Sequence, residues 1–320
     1  GRYRGEQWFL DWREQTYPSW TASDTVHIGM SKALGTNIGH LRMLEVGATL
    51  AEEKGDAASA GKYAGWADEL RDAIRAELYL EDVGLYSTYK TTELDPTPVQ
   101  RYDLLSSAFA VSFGVAEGSQ AEAIVASYPH LPKGPSVVWP QQQETPIYHN
   151  RAIWPFVTAF WAKAAAKADN ARVTDHAISS LMRGAALNLS NMENFEAVTG
   201  AAWLDDGAAS GPVVNSQRQL WSVAGYLAMV QEIVFGLDAS QSGIRFMPRI
   251  SAELRSALFG GIESIALSNL TYRSKHVSVR VRFESAGTCN TDVTPQPRDR
   301  ITFAVVSEGG LKPASLGSNP

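Results

Sequence analysis

The sequence has little cysteine, little charge and no long apolar segment. Its single cysteine, Cys289, excludes a disulfide within the chain and leaves no set of thiolate ligands for a metal cluster. No apolar run approaches the roughly 18 residues that a membrane-spanning helix needs. A net charge of -6 and a pI near 5.6 argue against a basic surface for nucleic acid. The motifs HExxH, CxxC, GxGxxG and GxxxxGK[ST] are all missing.

The first residues, GRYRGEQWFLDW, match neither a signal peptide nor a helix start. We therefore expect the chain to begin in the middle of a longer protein.

Hydrophobic spacing near 3.6 residues dominates the first three-quarters of the chain, as is typical of amphipathic helices. It predicts helices over about 37–54, 56–80, 101–116, 119–128, 150–168, 172–190 and 214–236. Short connections between neighbours favour antiparallel hairpins. Longer loops separate the hairpins, and this alternation suggests a weak structural repeat.

The pattern changes after about Leu237. GIRFMPRI, IESIALSNLTY, HVSVRVRFES and RITFAVVSE alternate apolar and polar residues and therefore predict strands. The predicted organisation is a mainly α catalytic region over residues 1–238, followed by a β-rich segment over residues 239–320.

The stretch GEQWFLDWREQTYPSW, residues 5–20, combines three Trp residues with Asp11, Arg13 and Glu14. Flat aromatic faces stack on sugar rings, while carboxylate and guanidinium groups bind hydroxyls, so this mixture is consistent with a carbohydrate site. The alternative is a capping loop with packed Trp side chains and an Asp–Arg ion pair.

A second stretch, PIYHNRAIWPFVTAFW, residues 146–161, surrounds a predicted helix entrance. Asn150 is a candidate N-cap, and Pro155 lies in the first turn, where a missing N–H is tolerated. Tyr148, Arg151 and Trp154 are candidate binding residues, and the alternative is a capped core helix with packed aromatic side chains.

A third stretch, MENFEAVTG, residues 192–200, places Glu193 and Glu196 just past a predicted helix, and NSQRQLWS, residues 215–222, follows. A single Glu in a loop is usually a solvated surface charge, so this segment alone is weak evidence of function.

Together the three stretches resemble the inverting (α/α)6-barrel glycoside hydrolases, or six-hairpin glycosidases, especially trehalase and the processing α-glucosidases. MENFEAVTG resembles their Glu-Asn-Tyr-Asn-Pro-x-Thr-Gly segment, and YHNRAIWP resembles Tyr-Trp-Arg-Gly-Pro-Ile-Trp-Pro. FLDWREQTYPSW stands where they have Gly-Trp-Asp-x-Ser-x-Arg-Trp. The order is the same, and the resemblance covers roughly residues 5–236. It implies the C-terminal portion of an (α/α)6 toroid of helical hairpins, followed by a small β-rich domain.

The resemblance implies that Asp11 is the general acid and Glu193 the general base of a hydrolysis with inversion. Glu196 is expected to bind a sugar hydroxyl or to be a surface charge. The candidate substrate-binding residues are Trp8, Trp12, Arg13, Tyr148, His149, Arg151, Trp154, Gln217, Arg218 and Trp221.

Inverting hydrolysis needs two carboxyl groups about 6.5–9.5 Å apart, so that one water fits between the sugar and the base. The acid must hold its proton near neutral pH. We therefore expect Asp11 to be buried by Trp8, Phe9 and Trp12, with a raised pKa. Glu193 should stay ionised, be better exposed to water, and lie close to amide donors or Arg.

The chain departs from the family at His149-Asn150, where a Trp usually precedes the Arg, and at Glu196, where Asn or Asp is usual. The substrate, an α-linked glucoside or a related oligosaccharide, need therefore be neither trehalose nor a glucose-capped glycan. Two other classes remain open. One is a carbohydrate-binding or scaffold protein on the same toroid, and the other is a toroid polysaccharide lyase or epimerase that uses Tyr148 and His149.

No cofactor is implied, and no second His or Cys stands near His149 to form a metal site, although a structural Ca²⁺ is an alternative. Seven predicted helices cannot complete six hairpins. We expect the missing N-terminal part of the same protein, or a partner chain, to complete the ring, and neither nucleic acid nor a membrane as a partner. The substrate class suggests a periplasmic or secreted protein, with the cytoplasm as the alternative.

Overall fold

The structure is a computed structural model that describes residues 3–21, 23–91, 97–239, 243–272, 275–283 and 301–307. The chain forms two compact units, Gly1–Leu227 and Ala228–Pro320. The division between these two units falls slightly before the domain boundary predicted at residues 238–239. The catalytic role of the first domain stays a prediction. In the described part, no helix has both the length and the apolar character needed to cross a membrane.

Helices dominate the first unit, and the predicted helical segments are confirmed with shifted ends. Two short helices in the first 30 residues were not predicted. The bounds are α1 Arg13–Thr16, α2 Thr25–Met30, α3 Leu34–Glu53, α4 Ala57–Leu78, α5 Leu104–Ser112, α6 Gly118–Ser127, α7 Pro155–Lys167, α8 Ala171–Asn188 and α9 Leu220–Ala228.

Side chains at the predicted turns cap several of these helices. Asp56 accepts a hydrogen bond from the Ser59 N–H at 3.0 Å, and Asn170 accepts one from the Val173 N–H at 3.1 Å. Pro155 is the first residue of α7, as predicted. The predicted N-cap at Asn150 is wrong, because Trp154 precedes α7 and Asn150 instead holds a loop upstream of the helix.

Ten two-residue strands lie between the helices of this unit. They are β1 Lys32–Ala33, β2 Tyr79–Leu80, β3 Leu85–Tyr86, β4 Tyr89–Lys90, β5 Tyr102–Asp103, β6 His130–Leu131, β7 Gly134–Pro135, β8 Val138–Trp139, β9 Ala152–Ile153 and β10 Phe195–Glu196.

A threefold structural repeat organises this unit, as the alternation of hairpins and loops suggested. In each repeat a short strand leads into a helix, a second helix follows, and a second strand pairs antiparallel with the first. The three repeats are β1-α3-α4-β4, β5-α5-α6-β8 and β9-α7-α8-β10. Because the paired strands precede α3, α5 and α7, the long loops gather at the N-terminal ends of these helices.

The repeats pack side by side. Helix α5 contacts both α3 and α7, and each of these three helices packs against the helix that follows it. Helix α9 extends the row, since a Cβ on Gly225 would lie 3.1 Å from the Cβ of Ala159 on α7. Fully buried side chains such as Leu41, Leu70 and Trp161 fill the core, and burying each contributes about 1.5–3 kcal/mol. The described residues form no closed ring, so the toroid stays a prediction.

The second unit contains the predicted strands. Three of them form an antiparallel sheet in the order β13 (Ser264–Tyr272), β14 (Lys275–Phe283) and β15 (Ile301–Ser307). The pairing of β13 with β14 shifts register between Leu267 and Leu270. A helix, α10, was not predicted, and Met229–Val234 forms a π-helical segment. The strands are β11 Leu237–Ala239, β12 Ile244–Phe246, β13 Ser264–Tyr272, β14 Lys275–Phe283 and β15 Ile301–Ser307, and α10 spans Ala252–Phe259. Cys289 and the last 13 residues lie outside the described residues.

An apolar stripe runs along α3. Met43, Val46 and Leu50 are spaced to lie on one face of this helix, and they are 60%, 42% and 51% exposed. Scattered apolar residues are normal on a protein surface, whereas a continuous apolar face usually contacts something. The stripe is therefore a candidate contact surface for a further segment of the protein or for a partner chain.

We expect this chain, when purified, to bind a hydrophobic fluorescent dye, because the α3 stripe is uncovered. The double variant Met43→Lys/Leu50→Lys should bind clearly less dye and keep its helical circular dichroism. A compact monomer in solution scattering, with no dye-accessible surface in the wild-type chain, would contradict this expectation.

Candidate active site

The predicted acid lies on a loop that folds back on itself before α1. The Gln7 N–H donates to the hydroxyl of Tyr17 at 3.0 Å, and the hydroxyl of Thr16 donates to the Leu10 carbonyl at 2.8 Å. Tyr17 is fully buried and anchors the loop. A parallel bridge between Gly5 and Lys32 holds the loop near the N-terminal end of α3. This loop, called the acid loop because it holds Asp11, thus lies at the N-terminal ends of α3, α5 and α7, where the long loops gather.

An open cleft of about 480 Å³ lies over this loop. Four predicted site residues come together in its wall, namely Asp11, Trp12, Arg13 and Tyr148. Glu6 and Val214, which were not predicted as site residues, also line the cleft, and so does Glu14, which was noted in the candidate stretch without a role of its own. The Trp-rich context marked the stretch that holds the two glutamates, but no signal separated them from surface charges.

Arg13 forms an ion pair with Glu6 rather than with Asp11. Its Nε donates to Glu6 Oε1 at 2.7 Å, and Nη2 donates to Glu6 Oε2 at 3.0 Å. The carboxylate raises the pKa of the Arg13 guanidinium above its ordinary value. The pair holds two charged groups of the cleft wall in a fixed geometry.

The expected burial of Asp11 is wrong. Its side chain is 78% exposed, and His149 Nε2 lies 3.8 Å from Asp11 Oδ1. The reason is that the aromatic neighbours point elsewhere. Phe9 packs against the buried ring of Trp154 at 5.1 Å, and Trp12 packs against Tyr148 at 5.1 Å.

Trp8 turns away from the cleft. Its ring stacks on Phe109 of α5 at 5.6 Å, and it lies so close to Gly35 of α3 that a Cβ there would be 2.2 Å from the indole nitrogen. Because a side chain at position 35 would displace the indole, glycine fits this contact best. Trp8 does not line this cleft but is 51% exposed, and its assignment as a sugar-binding residue stays a prediction.

Glu193 is almost fully buried, with 5% of its surface exposed, so the expectation of a better-hydrated base is wrong. The expected amide donor is present, because the Ser216 N–H donates to Glu193 Oε2 at 2.8 Å. The hydroxyl of Tyr148 donates to Glu193 Oε1 at 3.1 Å. These two hydrogen bonds compensate for the burial of the carboxylate.

Tyr148 connects the two predicted catalytic residues. Its ring lines the cleft with Asp11, and its hydroxyl contacts Glu193. Burial, followed by the negative charges of Glu193 and Asp11, raises the pKa of this phenol well above its ordinary value. Tyr148 is therefore a hydrogen-bond donor to Glu193 at neutral pH.

His149 and Trp154 support Tyr148 from behind, which corrects their interpretation as residues that contact a sugar. Both are 1% exposed, and their rings stack at 5.3 Å. Trp154 Nε1 donates to the Tyr148 carbonyl at 2.7 Å. Burial lowers the pKa of His149 to about 3, so at neutral pH its approach to Asp11 is not an ion pair.

Glu196 is neither a surface charge nor exposed to a ligand. It is fully buried, and its carboxylate accepts hydrogen bonds from the Val198 N–H at 3.0 Å and the Thr199 N–H at 2.6 Å. Arg151 lies 3.6 Å from Glu196 and forms a 2.7 Å ion pair with Asp206. Glu196 therefore fixes the loop after the predicted base, and Arg151 lies on a neighbouring cleft.

The remaining predicted residues lie on α9 and the segment before it. Trp221 is 42% exposed and stacks on Phe156 at 4.4 Å. Gln217 and Arg218 are exposed, and neither lines the cleft that holds Asp11. Among the described residues, no group of three or more His, Cys, Asp and Glu side chains is arranged to hold a metal ion.

The fold resembles that of several solved structures. A chain described as a sialidase aligns with a TM-score of 0.60 and 14% identity, over 78% of this chain and 23% of its own length. A GH78-family rhamnosidase of Bacillus sp. GL1 aligns with a TM-score of 0.55 and 18% identity, over 79% of this chain and 24% of its own. This chain thus spans about a quarter of the length of both proteins.

A bacterial glucoamylase in complex with acarbose aligns with 18% identity over 64% of this chain and 34% of its own. Its TM-score of 0.44 is too low for the alignment to carry an argument. No protein-family model and no curated protein sequence matches the chain. The resemblance to trehalase and the processing α-glucosidases therefore stays a prediction, and the similarity to the first two structures establishes the fold alone.

Tyr148→Phe should lower the free energy of unfolding by about 1–3 kcal/mol, because the buried carboxylate of Glu193 loses one of its two donors. Urea unfolding measures the change. Tyr63→Phe, at a half-buried tyrosine on α4, is the matched control. Equal stability of the Tyr148→Phe variant and the wild-type chain would show that the hydrogen bond does not hold Glu193.

His149 should make the fold less stable in acid. The unfolded chain binds a proton at this residue below about pH 6.5, whereas the folded chain does so only near pH 3. The free energy of unfolding should therefore fall as the pH decreases between these values, with up to about 2 kcal/mol lost from pH 7 to pH 5. His149→Gln should remove this part of the pH dependence and His27→Gln should not; an unchanged pH dependence in His149→Gln contradicts the account.

Proposed function

We propose that this chain carries both catalytic carboxyl groups of a glycoside hydrolase, which cleaves an α-linked glucoside or a related oligosaccharide with inversion. The observation that carries the proposal is the position of Tyr148, which shares a cleft wall with Asp11 and a hydrogen bond with Glu193. One carboxyl group lies in an aromatic-lined cleft, and the other, from a distant segment, is hydrogen-bonded to a tyrosine of the cleft wall. Such a pair suits the hydrolysis of a sugar. The fold shared with a sialidase and a rhamnosidase supports this class of reaction.

In the proposed reaction, Asp11 protonates the glycosidic oxygen as the bond from that oxygen to the anomeric carbon breaks. A water attacks the anomeric carbon from the opposite face and loses its proton to Glu193. Asp11 is exposed in the free chain. A sugar bound in the cleft removes water from this carboxyl group, and this desolvation favours its protonated form.

Glu193 fits the role of the base through its contacts. Tyr148 and Ser216 use one acceptor site on each carboxylate oxygen. A carboxylate has about four such sites, so acceptor capacity remains for a water beside Tyr148. The two donors also fix the direction of the carboxylate, which a base needs for efficient proton transfer.

The lyase or epimerase alternative is disfavoured by the same contacts. A tyrosine base must lose its proton easily, whereas burial and the charge of Glu193 raise the pKa of Tyr148. His149 is buried behind Tyr148 and cannot contact a ligand in the cleft. A binding or scaffold protein without catalysis remains the alternative that the experiment below tests.

The proposal extends to the surroundings of the chain. The uncovered α3 stripe supports a further segment of the same protein, or a partner chain, that completes a toroid. A periplasmic or secreted location is proposed from the substrate class.

Asp11→Asn and Glu193→Gln should each lower kcat on a panel of α-linked glycosides by about 10²- to 10⁴-fold, the usual contribution of a general acid or base. Sugar binding, measured by saturation-transfer NMR, should persist in both variants.

The matched control is Glu122→Gln, at an exposed residue of α6 outside the cleft, which should cleave at the wild-type rate. Normal cleavage by both catalytic variants would overturn the assignment. A wild-type chain that binds these sugars but cleaves none favours the binding-protein alternative.

A further inference from the structure

A second cleft, of about 770 Å³, lies beside the candidate active site. Its wall holds three consecutive glutamines, Gln141–Gln143, together with Glu144, Arg151 and Asp206, and two alanines complete the lining. None of these lining residues is aromatic. A ligand of this cleft therefore meets amide, carboxylate and guanidinium groups, which suit hydroxyl groups better than a flat apolar ring.

The glutamine wall is held in place from behind. Asn150 is fully buried, and its Oδ1 accepts a hydrogen bond from the Gln142 N–H at 2.7 Å. Its Nδ2 donates to the carbonyls of Gln142 at 3.0 Å and Thr145 at 3.1 Å. These bonds satisfy the buried amide and order the loop before any ligand arrives.

Two chain segments, residues 141–148 and 206–214, contribute to the walls of both clefts. Residues 141–144 line the second cleft and Tyr148 lines the first, while Asp206 lines the second and Val214 lines the first. The Val213 N–H donates to the Ile147 carbonyl at 2.9 Å and joins the segments between the two clefts. A ligand that leaves the first cleft along these segments therefore reaches the second.

The charges of the second cleft select against anions. Arg151 is the only cation among its lining residues, and it already forms an ion pair with Asp206 and lies near Glu196. A second cation, Arg101, contacts the side chain of Gln142 but does not itself line the cleft. The carboxylate of Glu144 adds a further negative charge. An anionic ligand would meet repulsion here, whereas an uncharged ligand would not.

We propose that the second cleft binds the additional, uncharged sugar units of an oligosaccharide whose scissile bond lies in the first cleft. This inference rests on the proposed function and adds a substrate class to it. The enzyme then acts on neutral oligosaccharides and discriminates against acidic ones such as sialylated or uronate-containing chains. The exposed side chains of Gln143 and Glu144 recognise the hydroxyl groups of the added units, while Gln142 contacts Arg101 and holds the wall in place.

The test compares a chain in which the cleft is filled with one that carries the same substitution elsewhere. Ala208→Trp places an indole in the second cleft, and Ala58→Trp, at an exposed position of α4, is the matched control. The probes are p-nitrophenyl monoglycosides and neutral di- to tetrasaccharides of several α-linkages. The ratio of kcat/KM for the best oligosaccharide to that for its monoglycoside should fall at least tenfold in Ala208→Trp and stay constant in Ala58→Trp.

The remaining results separate a failure of the second cleft from a failure of the proposed hydrolysis. A ratio that Ala208→Trp leaves intact, or the lack of any gain from added sugar units, overturns the second cleft and leaves the proposed hydrolysis standing. If no glycoside is cleaved, the proposed function fails, and saturation-transfer NMR with the same oligosaccharides tests the cleft alone. There, loss of binding in Ala208→Trp supports the cleft, whereas unchanged binding, or equal binding of oligogalacturonates, overturns the inference.

Discussion

The hydrogen bond from Tyr148 to Glu193 is the contact on which the candidate site depends. It joins the almost fully buried carboxylate of Glu193 to the wall of the open cleft in which we propose that a sugar binds. The bond works because the environment keeps the phenol protonated and the carboxylate oriented. His149 and Trp154, though hidden from any ligand, hold the backbone and ring of Tyr148 in the position that this contact requires.

The repeat explains why such distant residues can meet. Each pair of helices returns the chain to the end where it started, and the short strand pairs hold that end together. The acid loop, the Tyr148 segment and the Glu193 segment are the first, third and fourth returns of the chain to this end. Gln15 links two of these returns, because its Oε1 accepts hydrogen bonds from the N–H groups of His149 at 2.8 Å and Asn150 at 2.9 Å. Helix packing supplies the rigid frame, and the loops supply the chemistry.

Periodicity and turn residues were sufficient to predict helices α3 to α9 and the later strands, since both depend on local patterns that a single sequence displays. The short helices α1, α2 and α10 were missed. The expectation that Asp11, Arg13 and Tyr148 lie at one site came from the resemblance to the six-hairpin glycosidases, and the structure places all three in the wall of one cleft. The burial of the acidic groups could not be predicted from the sequence. Whether Asp11 faces water and Glu193 faces protein depends on the direction that each loop residue takes after a tertiary contact, and no periodic pattern records that direction. Glu193 and Glu196 looked alike for the same reason, although one contacts the cleft wall and the other ties its own loop together.

The central claim is that Asp11 and Glu193 act on opposite sides of one bound sugar. A crystal structure of the Glu193→Gln variant with a bound neutral oligosaccharide tests it most directly. The account predicts a glycosidic oxygen within hydrogen-bonding distance of Asp11, and a separation of about 6.5–9.5 Å between the two side-chain carbonyl carbons, with one water between the sugar and residue 193. A sugar bound away from both residues, or a separation outside this range with the substrate in place, would contradict it.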